Sequence, residues 1–230
     1  MKAGVAWSMH GDTFFELLVA VLAFAYVMGI LELTRRLYGA MRRRGLSHNV
    51  AVYYNRKVIH VLAGGVVALL VPHVFRSPLV PFALAMVLAT LVYVPHRTGK
   101  LMHWFQVEEN MYEVNFCIVW GLTVLLLWLT LGNPSYAILP PVFMSFGDAV
   151  TGAVRNILYG RRTKSWVGNV AMLATTLPVG YYYAGPVGAV ASVVASIVEH
   201  YEIPPVLDDN VLISLSTTCV LVASRVLGFI

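Results

Sequence analysis

One acid, Asp148, stands inside an otherwise apolar stretch, SFGDAVTGAVRNILYGRRTKSWVG at 145–168. A carboxylate in hydrocarbon costs at least ~2.5–3.5 kcal/mol on insertion scales, so it is kept where it meets a cation, water or a metal ion. On a helix, Asp148, Gly152 and Arg155 share one face at i, i+4 and i+7. Such a face could hold a cation and let a phosphate approach bare backbone at the glycine. Arg161, Arg162 and Lys164, just past the helix end, would supply the counter-charge. The plainer reading is a buried Asp148–Arg155 ion pair followed by ordinary interfacial anchoring charges.

Two further clusters carry ionisable groups at the ends of apolar runs. In YNRKVIHVLAGG, 54–65, Arg56, His60 and Gly64 repeat at helical spacing, with Lys57 beside them. This corner suits an anion, and His60 could donate to a phosphate or take a proton near neutral pH; alternatively its basic residues only snorkel to the interface. Farther on, Glu199, Glu202, Asp208, Asp209 and Asn210 crowd a loop that holds no Lys or Arg. Oxygen ligands at that density suit a divalent cation, and the alternative is a solvated acidic loop. Glu108, Glu109, Glu113 and Asn115 precede another apolar run and are expected to be solvated or paired with basic loop residues, with Glu108 a minor site candidate. His200 is expected to be an interfacial residue without function.

The elements that must position these groups are membrane helices. The 230-residue chain is 59% hydrophobic and 12% charged, far from the roughly 25% charged residues of soluble domains. Apolar runs near the ~20 residues needed to cross a bilayer fall at about 14–33, 58–75, 78–95, 114–131, 134–154, 166–183, 184–199 and 211–230. The expectation is an all-α, polytopic bundle of about eight transmembrane helices forming a single integral-membrane domain, 1–230. Pro134, Pro140 and Pro141 predict a broken or re-entrant start to the fifth span. Small residues in GPVGAVASVVAS, 185–196, predict close helix packing. The first run is longer than a signal h-region and its positive charge follows it, so it is expected to remain as the first helix.

Charge orients the bundle. Thirteen of the sixteen Lys and Arg fall in 35–57, 96–113 and 155–165, loops that alternate onto one side, while Lys2 and Arg76 fall on the other. By the positive-inside rule the first side is cytoplasmic, with the candidate site on it and both termini outside. The net charge of +5 is therefore an orientation signal. It does not indicate nucleic acid, because no polar surface interleaves basic and aromatic residues. Cys117 and Cys219 lie in apolar runs and define no disulfide framework.

In their order, spacing and common side, these pieces resemble the CTP-dependent lipid-alcohol kinases, the family of dolichol kinase, phytol kinase and the yeast-type CTP-dependent diacylglycerol kinase. The matching residues are Arg56-Lys57-x-x-His60-x-x-x-Gly64, then Gly147-Asp148-Ala149, Gly160 followed by Lys164 and Gly168, and Glu199 followed by Asp209-Asn210. The resemblance covers about 54–215. Lys164-Ser165-Trp166 fits the family only in part, and Asp208 makes a double acid of the last motif.

The resemblance implies transfer of the γ-phosphoryl group of CTP to the hydroxyl of a long isoprenoid alcohol of dolichol, polyprenol, geranylgeraniol or phytol type. Asp148, Glu199 and Asp209 would hold Mg²⁺, and Asn210 would serve as a neutral ligand or a base reader. Arg56, Lys57, Arg161 and Lys164 would neutralise the triphosphate, with Gly152 and Gly168 beside the nucleotide. His60 or one of the carboxylates would take the hydroxyl proton. Two other readings use the same residues. One is cytidylyl transfer to a lipid phosphate, although the His-Gly-Gly…Asp-Arg-x-Asp signature of the CTP:phosphatidate cytidylyltransferases is absent. The other is a cation- or proton-coupled transporter built on Asp148 and Glu199.

Overall fold

The structure, a computed structural model, describes residues 3–160, 163–201 and 208–230, with side chains from Phe14 onward. These residues form helices α1 (Ala3–Arg43), α2 (His48–Val74), α3 (Leu79–Thr98), α4 (Tyr112–Leu131), α5 (Pro134–Tyr159), α6 (Trp166–Val198) and α7 (Asp209–Val226). All seven are long and apolar enough to cross a membrane, and no strand forms among the described residues. Large apolar side chains such as Leu22, Leu126, Leu129, Val170 and Tyr182 stand exposed, as a lipid-facing surface requires. The expected polytopic all-α bundle is what forms.

One of the seven helices is two. At Ala184 (φ −136°, ψ 18°) and Gly185 (φ 54°, ψ −140°) the backbone leaves helical geometry, and the chain reverses. Ser192 Oγ donates to Thr176 O at 3.0 Å and Asn169 Nδ2 donates to Ser196 O at 2.6 Å. Residues equally far before and after the turn are thus neighbours, so α6 is a hairpin with antiparallel arms 166–183 and 186–198. Gly180 and Gly188 meet so closely that a methyl on either would strike the other's backbone. That closeness is the packing a membrane interior rewards, since lipid offers no hydrophobic drive and van der Waals contact must hold the helices together. Gly185, at positive φ, provides a turn that a side chain would strain.

α5 is the central helix. It begins in short turns, Pro134–Ala137 and Leu139–Val142, where prolines remove backbone donors, and Asn133 Oδ1 accepts from Ser135 N at 2.9 Å. Next comes a π-helical turn, Phe143–Gly147, that ends against Asp148. A second π turn, His60–Gly65, interrupts α2. The two press together: a Cβ on Gly64 would lie 2.5 Å from Phe116 and 2.8 Å from Ser145, and one on Gly65 2.6 Å from Phe146. Wide turns of this kind free backbone carbonyls, and Gly64 O here accepts from Trp120 Nε1 of α4 at 3.2 Å. Each π turn borders one of the two acid–base residues singled out above, His60 and Asp148.

Polar knots tie the two ends of the bundle. At one end Asn55 Nδ2 donates to Thr34 O and Trp104 O, both at 2.8 Å, joining α1, α2 and the segment after α3. At the other, Glu16 Oε1 accepts from the backbone N–H groups of Arg76 and Ser77. Counting the hairpin as two arms gives eight helical segments among the described residues.

Candidate functional site

At the Asn55 end a polar cavity of about 130 Å³ opens between α2, α5 and α7. α2 contributes Arg56, Lys57 and His60, and α5 contributes Asp148 and Gly152. Lys164, Glu199, Asp209 and Asn210 complete its wall. Groups far apart in the chain therefore meet at one place. Gly168 stays behind the wall, and Arg161 lies outside the described residues, as does Glu202.

Asp148, 3% exposed, is the centre. Its Oδ1 accepts from Lys57 Nζ at 2.6 Å and its Oδ2 from His60 Nδ1 at 3.2 Å. Its partner is Lys57, not Arg155 as the plainer sequence reading has it. Helical spacing tells which residues share a face but not which neighbouring helix meets them, and here α2 does. His60 is stacked on Phe116, with ring centroids 4.2 Å apart and planes 18° apart, so Asp148 and Phe116 together set the imidazole plane. Gly152 gives α2 room: a Cβ there would collide with the Tyr53 hydroxyl and sit 2.7 Å from Lys57 Cε.

Arg155 belongs to a second centre. Its Nη1 and Nη2 donate to Glu199 Oε1 and Oε2 at 2.8 Å each, Nη2 also to Asn169 Oδ1 at 2.9 Å, and Nε to Ser165 O at 3.0 Å. Asn169 Nδ2 and Lys164 Nζ donate to the same carboxylate. Glu199, which also borders the cavity, thus clamps α5 to both arms of the hairpin through a bidentate guanidinium. Gly168 makes the clamp possible, since a Cβ there would lie 2.8 Å from Arg155 Cζ; its contact is with Arg155 and not with the cavity. The acidic loop does have counter-charge, supplied by Arg155 and by Lys164, which also lies 3.6 Å from Asp209 Oδ2.

Among the described residues no group of three or more His, Cys, Asp and Glu is placed to hold a metal ion. The cavity does contain oxygen acceptors of the kind Mg²⁺ takes. Asn210 Oδ1 and Asn110 Oδ1 are buried without a hydrogen-bond partner, as is Thr163 Oγ1, and all three residues line the cavity. Mg²⁺ is commonly held by one or two carboxylates, with substrate phosphates and water completing the shell. Asp148, Asp209 and Asn210 fit that pattern. Asp208 serves the backbone instead. Its Oδ1 accepts from Val211 N at 2.9 Å and caps α7, while burial pushes its carboxyl up to about 6.

Two recesses adjoin the cavity. An apolar groove of about 90 Å³ runs among α1, α2, α3 and α4, and shares Arg56, His60 and Glu113 with the polar cavity. On the other side, a wider recess of about 440 Å³ shares Tyr53, Arg56 and Asn110. Glu113 sits where groove and cavity join, buried, with Oε1 accepting from Gln106 Nε2 at 2.9 Å and 2.6 Å from His96 Nε2, and Oε2 3.4 Å from Arg56 Nη2. Sequence reasoning groups it with loop acids. The signal that identifies Asp148, an acid within an apolar helix, applies equally to Glu113 in the first turn of α4.

No family model matches the chain, and no curated protein or solved structure matches it.

Proposed function

We propose that the protein is a membrane phosphotransferase that moves the γ-phosphoryl group of CTP to the hydroxyl of a long isoprenoid alcohol, giving the lipid monophosphate and CDP. The observation that carries this reading is the shared wall at Arg56, His60 and Glu113, where an apolar groove meets a cavity rich in cations and carboxylates. An amphiphile with a hydrocarbon tail and a reactive head suits that junction. The resemblance of the residue pattern to CTP-dependent lipid-alcohol kinases supplies the donor.

Phosphoryl transfer asks mainly for positioning and charge neutralisation. Lys57, Lys164 and Arg56 line the cavity and would face the triphosphate oxygens. Asp148, ion-paired to Lys57 and therefore ionised, accepts from His60 Nδ1–H, which leaves Nε2 as the basic nitrogen. This arrangement supports His60 as the group that would take the alcohol proton. Mg²⁺, held by Asp148, Asp209 and Asn210, would neutralise charge developing on the phosphates. The charge bias of the loops favours the cytoplasmic side for this chemistry.

The test is radiolabel transfer by the purified protein in lipid nanodiscs with polyprenol, geranylgeraniol, phytol and diacylglycerol as acceptors. Label from [γ-³²P]CTP, and none from [α-³²P]CTP, should enter the lipid. Label from the α position, with release of pyrophosphate, would replace this reading with cytidylyl transfer. Ion flux in proteoliposomes without nucleotide would replace it with transport.

A further inference from the structure

We infer that the end of α1 that projects beyond the hydrocarbon carries a binding site for an anionic phospholipid, whose phosphate seats over Gly39 between Arg36 and Arg43. The site belongs to the outer surface of the bundle and holds whatever chemistry the polar cavity performs.

α1 is longer than a bilayer requires. Its exposed large apolar residues run from Phe14 to Leu33, a stretch of about twenty residues or ~30 Å, which is the thickness of the hydrocarbon core. The helix then continues without a break to Arg43, ~15 Å farther. Arg35, Arg36, Arg42, Arg43 and Arg44 all stand exposed on or just past this extension, and the sequence from Tyr38 to Ser47 holds no acid. Glu32, at the edge of the apolar surface, lies 3.8 Å from Arg35 and 3.4 Å from Arg36, and offsets one of these positive charges.

The cluster has a shape as well as a charge. Positions 32, 36, 39 and 43 follow one face of the helix at i, i+4, i+7 and i+11, so Gly39 leaves a bare notch between two arginines. Arg43 lies over it: a Cβ on Gly39 would sit 3.5 Å from Arg43 Nη1. Side chains tilt toward a helix's N-terminus, which for α1 is toward the bilayer, and Arg43 thus reaches back by about one turn. Arg42 is engaged otherwise, its Nη1 donating to Leu46 O at 2.6 Å past the helix end.

Measured from Leu33, Arg36 stands ~4.5 Å outward and Gly39 ~9 Å, while the interfacial layer on each side of a bilayer is ~5–8 Å deep. The two guanidiniums bracket the layer in which lipid phosphates lie. Their paired N–H donors suit a phosphodiester, and an anionic surface favours basic residues held this close to it. The same face runs down into the bilayer through Met28, Val21, Leu18 and Phe14, all exposed. A lipid lying along it brings its phosphate to Gly39 with its tails still in hydrocarbon, which a soluble acidic partner does not do.

The experiment is native mass spectrometry of the full chain in detergent, titrated with dioleoyl phosphatidylglycerol or dioleoyl phosphatidylcholine. Phosphatidylglycerol should bind at least about tenfold more tightly. Arg36→Gln and Arg43→Gln should each weaken it about fivefold, the usual worth of one basic residue at an anionic surface. Gly39→Leu, which fills the notch and removes no charge, should weaken it severalfold, whereas Gly39→Ala should not. Arg97→Gln and Lys100→Gln, at exposed positions at and just past the end of α3, remove the same charge away from the notch and should change affinity less than about twofold. Equal binding of the two lipids by the unaltered protein would overturn the inference. So would losses in the Arg97 and Lys100 variants equal to those at Arg36 and Arg43, full affinity in Gly39→Leu with a native melting temperature, or displacement of the lipid by millimolar glycerol phosphate.

Discussion

Both arms of the Arg155 guanidinium reach the Glu199 carboxylate, at 2.8 Å each, with the two side chains 6% and 1% exposed. Removing one partner of such a pair leaves an uncompensated buried charge, which costs ~3–5 kcal/mol. Glu199→Gln should therefore lower thermal stability in detergent by several degrees, and Arg155→Ala should do the same. Magnesium dependence of any activity that remains should be unchanged. A Glu199→Gln protein with native melting temperature and a shifted Mg²⁺ titration would place Glu199 in the metal site.

Asp148→Asn retains size and shape but removes the charge that Lys57 and His60 both meet. Turnover should fall about 10²- to 10⁴-fold, the range for loss of acid–base function. His60→Gln should fall comparably, and the double variant little further, as for groups that act as a unit. Initial rates of lipid phosphorylation for the three proteins, each normalised to folded fraction by size-exclusion chromatography, make the comparison. Additive losses would separate the two residues.

Asp208 supplies a pH-dependent prediction. Its folded carboxyl, at about 6, lies above the ordinary 3.8, so the folded state binds the proton more tightly. The associated stability is fully present below pH ~4, is lost as pH rises toward 6, and stays lost above. Asp208→Asn keeps an effective helix cap and removes the buried charge. It should stabilise the protein above pH 6, by on the order of 2–3 kcal/mol at most, and change nothing below pH 4. Melting curves from pH 4 to 8 without ligands test the sign.

At Gly152 a methyl would press on both the Tyr53 hydroxyl and Lys57. Gly152→Ala should push Lys57 off Asp148 and lower activity at least about tenfold with modest loss of stability, the usual scale for overpacking being 1–3 kcal/mol. Tyr53→Phe in the same chain removes one of the two obstructing groups and should restore part of the rate. No rescue in the double variant would mean that the loss does not arise from this crowding.

Much of the site is legible in the sequence because membranes penalise stray charge. Each ionisable group at an apolar boundary stands out, and Arg56, Lys57, His60, Asp148, Gly152, Lys164, Glu199, Asp209 and Asn210 do border one cavity. The pairings are not legible. Periodicity places Asp148 and Arg155 on one face but says nothing about α2 bringing Lys57 to Asp148, nor about the hairpin bringing Glu199 back to Arg155. Glu113 escapes notice because neighbouring Glu108 and Glu109 make it read as loop. The π turns leave no trace either, since a single extra residue in a helical turn depends on what packs against it.

The hairpin of α6 also sets the height of the molecule in its bilayer. Its returning arm, 186–198, has thirteen residues and spans only ~20 Å, whereas α3 and α4 at twenty residues each span ~30 Å, the full hydrocarbon thickness. Lipid beside the short arm must thin, or the arm must lie deeper, at a cost of fractions of a kcal/mol per ångström of mismatch. Either way, the flank where α6 closes the clamp matches a thinner hydrocarbon layer than the rest of the bundle, and short-chain lipid should suit it best.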